Sequence, residues 1–111
     1  MQLLWHTWDG KSWSDLLNMD LSLPHFNTME GVYVIWSGSS TVRVGQGIIR
    51  DRLGKHRNDR AITAYPSLLV TWAPVEKNYR DGVERYLANT LKPKVGDAFP
   101  DTIPIAVNLP W

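Results

Sequence analysis

The chain has 111 residues, 43% hydrophobic and 21% charged, which suits one globular core and excludes wholesale disorder. It has no cysteine, which rules out disulfides, thiolate zinc sites and a cysteine nucleophile, and no apolar run of about 18 residues to span a membrane. The net charge of +1 conceals a strong asymmetry: residues 43–94 hold eleven basic against five acidic residues, while 1–42 hold one basic against four acidic. A basic middle segment of this kind can present a polyanion-binding face. No basic-then-apolar leader is visible at the start, so a cytoplasmic protein is expected.

Taken in chain order, residues 1–30 are the least regular part, a tryptophan-rich extension. Trp5, Trp8 and Trp13 surround Asp9-Gly10, a hairpin-type turn signal, and the indoles are expected to lid one side of the core. Ser14 is placed to cap a short helix through Met19 that ends before Pro24. Gly31 to Trp36, rich in β-branched and aromatic residues, predicts a strand. Ser37 to Ser40 predicts a turn and Thr41 to Val44 a second, antiparallel strand. Gly45-Gln46-Gly47 should break that strand and open a helix over roughly Ile48 to Asn58, with Asp51 and Lys55 as an i,i+4 ion pair.

A third strand is expected from Leu68 to Trp72, stopping at Pro74. A second helix is expected from Lys77 to Leu91, with Tyr79, Val83, Tyr86, Leu87 and Leu91 on its packed face and Pro93 ending it. Ile103 to Val107 reads as an edge strand or an extended arm. The expected fold is α+β, a small three-stranded antiparallel sheet flanked by helices. It forms one domain over 1–111, with core 31–97, extension 1–30 and arm 98–111.

Several chemistries drop out. Gly10-Lys11-Ser12 looks like the end of a P-loop, but Trp5 stands where its first glycine must be. Gly45-Gln46-Gly47 lacks the third glycine of a dinucleotide fingerprint, since Arg50 holds that place. His6, His25 and His56 are too scattered for a zinc site. What remains is a constellation. Arg52 and His56 lie four apart on one helix, Glu84 borders the apolar face of the next, and Tyr33 is mid-strand. Phosphodiester hydrolysis needs a cation anchor, a fixed positive charge and a proton acceptor for water. Glu84, Arg52, and Tyr33 or His56 could supply them. The bland alternatives are a packed tyrosine, a surface arginine, an interfacial histidine, and a Glu84 paired with Arg80.

The order of these landmarks resembles the GIY-YIG nuclease domain. Gly31-Val32-Tyr33 stands for the first motif and Arg43-Val44-Gly45 for the second. Arg52-Leu53-Gly54-Lys55-His56 follows, then Glu84 leading into Leu91-Lys92-Pro93. Arg43 replaces the tyrosine of the second motif, and Gly96 or Asp97 stands where the family has a late asparagine. The resemblance implies a one-metal endonuclease acting on DNA ahead of RNA, with catalytic Tyr33, Arg52, His56 and Glu84. Glu84 would hold one Mg²⁺ or Mn²⁺, and Tyr33, its pKa lowered by nearby cations, would take a proton from water. Arg43, Gln46, Arg50, Lys55, Arg57 and Arg60 are the expected nucleic-acid contacts. Specificity would come from the chain ends, a dimer or a partner protein. The rival expectations are a catalytically impaired binding module of the same fold and a protein-interaction domain using the tryptophans.

Overall fold

The computed structural model describes residues 1–7, 12–96 and 98–111. The turn at Asp9-Gly10, the Gly10-Lys11 pair, Trp8 and Asp97 lie outside the described residues. In chain order the elements are β1 (Ser14–Asp15), β2 (Glu30–Ser37), β3 (Ser40–Ile48), α1 (Ile49–His56), α2 (Arg60–Thr63), β4 (Leu69–Pro74) and α3 (Lys77–Leu91). The strands form one antiparallel sheet in the order β1-β4-β2-β3.

The sheet is organised by β2, the strand with the densest run of β-branched and aromatic residues. Tyr33 and Ile35 face a core with Ile49, Leu53, Ile62 and Trp72, while Val32, Val34 and Trp36 face a second core with Val44, Val83, Leu87 and Val107. A strand covered on both faces reads as a continuous apolar run, and this one does. The sheet therefore divides the molecule into an α1 side and an α3 side.

Two expectations about the sheet are corrected. The sheet has four strands, because Ser14–Asp15 adds to the outer edge of β4 in place of the expected helix. The Asp15 carboxylate accepts from Leu17 N (3.0 Å) and Asn18 Nδ2 (2.9 Å), a local turn that competes with helix formation. Gly45-Gln46-Gly47 does not break β3, which runs on to Ile48. Of the two expectations for residues 103–107 the arm is the one found: they form no strand and lie on α3, with Ile105 N donating to Gly82 O at 2.9 Å.

The expected helix Lys77–Leu91 forms with those bounds. On it Val83 and Leu87 are buried and Tyr86 and Leu91 pack against the same core as expected, while Tyr79 is exposed and Arg80 is buried. Arg80 Nε donates to Val75 O at 2.8 Å, and Nη2 pairs with Glu30 at 3.4 Å, so Arg80 is not the partner of Glu84. Among the described residues that is the ion pair present; Asp51 and Lys55 do not form one. The chain's two end segments lie side by side. Leu3 N donates to Asn108 Oδ1 (2.6 Å), Asn108 Nδ2 returns to Leu3 O (3.0 Å), and Trp5 Nε1 donates to Asn108 O (3.0 Å). No helix among the described residues is long and apolar enough to cross a membrane.

Candidate active site

The site is built around β3, the outermost strand, where α1 from one side and α3 from the other both approach. Tyr33 stands directly across from Gly45 in the β2–β3 register. A Cβ at Gly45 would overlap the Tyr33 hydroxyl, so this glycine lets the phenol lie across the neighbouring strand. The Tyr33 hydroxyl then meets His56 Nε2 at 2.6 Å. His56 closes α1, and Arg52 lies one turn earlier on the same side of the helix.

From the α3 side comes Glu84, buried at 7% exposure between the core residues Val83 and Leu87. Its Oε1 accepts from Gln46 Nε2 at 2.9 Å, and the same nitrogen donates to Asp81 Oδ1 at 2.6 Å. Gln46 pairs across with Val32, which turns it to the α3 face. Two carboxylates three residues apart on a helix therefore converge on one amide.

Arg43 and Arg52 join the halves, since both charges are felt by Tyr33, His56 and Glu84. Burial lowers the His56 pKa to about 4, helped by Arg43 and Arg52, and so keeps the imidazole neutral. Burial raises the Glu84 pKa, against the pull of the Gln46 amide and Arg43, with Asp81 adding to the rise. Tyr33 departs from expectation. Burial raises its pKa and outweighs the lowering by Arg52 and Arg43, so the phenol stays protonated. Its side chain is fully buried, at 0% exposure.

Three buried nitrogens here, Arg43 Nε, Arg52 Nε and His56 Nδ1, have no hydrogen-bond partner among the described residues. Buried polar groups are rarely left so, and two guanidinium N–H groups without acceptors suit an anion. Behind Arg43 the chain passes through Gly96, whose φ of +99° and closeness to the guanidinium both call for glycine.

The expected nucleic-acid contacts separate into two groups. Arg50 Nε donates to Leu21 O at 2.6 Å, and its Nη2 to Leu23 O and Asn27 Oδ1. Arg57 donates to Leu16 O at 2.7 Å and to Met19 O. Both guanidiniums thus hold the 16–27 loop. Lys55 and Arg60 are exposed, Arg43 lies in the site with Nη1 on Val95 O at 3.4 Å, and Gln46 holds the carboxylates. Asp81 was not among the expected site residues, although its i,i+3 spacing from Glu84 was available as a signal.

Among the described residues no group of three or more His, Cys, Asp or Glu side chains converges as a metal cage. The donor set present is the oxygens of Glu84 and Asp81, with Gln46 beside them. Hard cations such as Mg²⁺ take oxygen ligands, need only one or two carboxylates and keep several waters, so the donors fit such an ion. No family model, curated protein or solved structure matches this chain.

Proposed function

We propose that this protein is a divalent-metal-dependent endonuclease of the GIY-YIG kind, hydrolysing phosphodiester bonds in DNA, with RNA as a second substrate, in the cytoplasm. The observation that carries this reading is a pair of guanidiniums with unpartnered Nε–H groups beside a tyrosine–histidine pair on the α1 face of the edge strand β3, with a buried carboxylate on its α3 face within reach of both arginine charges.

In this reading the scissile phosphate sits between Arg43 and Arg52, whose N–H groups stabilise the charge of the pentacovalent transition state. As water attacks phosphorus and the P–O bond to the leaving nucleotide oxygen breaks, the water proton passes to the Tyr33 oxygen while the phenolic proton moves to His56 Nε2, and the departing oxygen takes a proton from solvent. The bound phosphate offsets the two arginine charges that help depress His56, which makes the imidazole more basic when substrate is present. Glu84, with Asp81 beside it, would hold Mg²⁺ or Mn²⁺, and such an ion would supply Lewis-acid stabilisation of the developing negative charge. Gln46 keeps the two carboxylates together until then.

Purified protein should cleave a labelled panel of single-stranded, duplex and branched DNA and RNA only with Mg²⁺ or Mn²⁺. Glu84→Ala should abolish cleavage, and Tyr33→Phe should reduce it by about 10²-fold or more, the scale of general acid–base catalysis. Full activity in Glu84→Ala would overturn the metal assignment.

The complete burial of Tyr33 favours a second reading, a nucleic-acid-binding module of the same fold with impaired chemistry. It is separated from the first by salt-sensitive binding without cleavage under any divalent ion.

A further inference from the structure

At the turn end of the β2–β3 hairpin lies a concavity of about 390 Å³ lined by Trp13, Trp36, Trp111, Gly38, Ser39 and Thr41. Trp36, nearly buried, is its floor. Trp13 meets that indole at 86° with centroids 5.2 Å apart, and Trp111 at 64° and 4.9 Å. Both contacts are of the edge type, so neither wall indole stacks flat on the floor. Trp111 keeps 58% of its surface exposed, which a lid serving only the core would not do. No acidic side chain among the described residues lines the concavity.

We infer that this concavity is a stacking site for an unpaired nucleobase, and that the substrate of the neighbouring site is therefore a strand with single-stranded character. Inside a duplex the faces of a base are covered by its neighbours, so only an unpaired or extruded base can enter. Aromatic faces take any base, each stack contributing binding without reading sequence.

Cations connect the concavity to the proposed chemistry. Thr41, at its rim, accepts through its carbonyl from Lys94 N at 3.1 Å, and Lys92 and Lys94 are both exposed. Val42 O accepts from Val95 N at 2.8 Å, and Val95 O faces Arg43. Along β3, Thr41 is four residues from Gly45, about 13 Å of strand. A short unpaired stretch can thus place a base among the indoles and its phosphates past Lys94 and Arg43. A peptide or a methylated ammonium could also meet indoles, but the run of lysine and arginine leading away favours a polyanion.

The inference rests on nucleic acid being the ligand, though not on cleavage, so it is tested by binding in the Glu84→Ala background. Probes are a 12-residue oligo-dT strand, the same strand with one abasic site moved along it, and a 12-base-pair duplex. Tryptophan emission should be quenched by oligo-dT. Trp111→Ala and Trp13→Phe should weaken oligo-dT binding, the former by about tenfold, and leave duplex binding unchanged. One abasic position should reproduce that loss. Trp111 is mostly exposed, so its removal leaves the fold intact; urea melts check this for both variants.

Equal affinity of Trp111→Ala and the parent for oligo-dT would overturn the inference, as would equal losses for strand and duplex. Quenching by a trimethyllysine peptide with none by oligo-dT would replace it with a cation cage. If the parent protein cleaves but the tryptophan variants keep its strand preference, the stacking site fails alone. If nothing is cleaved but oligo-dT still binds through Trp111, the nuclease reading fails alone.

Discussion

Because His56 is neutral in the fold with a pKa near 4, against about 6.5 in an unfolded chain, acid should destabilise this protein in a definite window. As pH falls from about 6.5 to about 4, the unfolded chain takes up a proton that the folded chain refuses. Stability contributed by the neutral ring is complete above that window, drains away through it, and levels off below it. The shift of two to three units corresponds to about 3 kcal/mol, a large share of the 5–15 kcal/mol typical of a domain. His6, also lowered by burial, acts with the same sign. Glu84 opposes it, since a raised carboxylate pKa lets the folded chain bind its proton first on acidification. The His56 share is isolated with His56→Gln, which can still accept from the Tyr33 hydroxyl. Urea midpoints at several values between pH 7 and pH 4, at constant m, should show the parent losing about 3 kcal/mol more than the variant. Parallel stability curves would refute the burial argument, and with it the neutral acceptor that the proposed proton transfer uses.

Gly45→Ala should force the Tyr33 ring away from His56, cost about 1–3 kcal/mol in chemical denaturation, and return the His56 pKa toward 6.5 in an NMR titration. Arg57→Ala should destabilise the fold by about 2 kcal/mol through loss of its charged contacts with Leu16 and Met19, without altering the salt dependence of DNA binding. Lys55→Ala and Arg60→Ala should do the reverse, with stability unchanged within about 0.5 kcal/mol and the slope of log K against log salt shallower by about one.

What local pattern could express, the sequence expresses. The spacing of Val83, Leu87 and Leu91 and the stop at Pro93 mark α3, and the β-branched run from Val32 marks β2. Signals that depend on a cross-strand neighbour are invisible locally. Gly45 resembles a strand breaker until Tyr33 is known to lie over it. Arg50 and Arg57 look like phosphate contacts because a carbonyl acceptor leaves no trace in residue identity. Ser14 looks like a helix cap until the Asp15 carboxylate forms a turn of its own. The candidate residues Tyr33, His56, Arg43, Arg52 and Glu84 were legible as types at plausible intervals. The burial of Tyr33, His56 and Glu84, which raises the pKa of Tyr33 instead of lowering it, follows only from packing on both sides of β3.

The borders of the sheet have a consequence for behaviour in crowded solution. Beyond β4 lie the two residues of β1 and then the backbone of His6, whose amide donates to Trp72 O. Along the opposite flank the amides of Lys94 and Val95 occupy the carbonyls of Thr41 and Val42. Where its own chain lies against them, these stretches of the two borders give a passing extended polypeptide little to zip onto, so lateral recruitment there is discouraged by architecture.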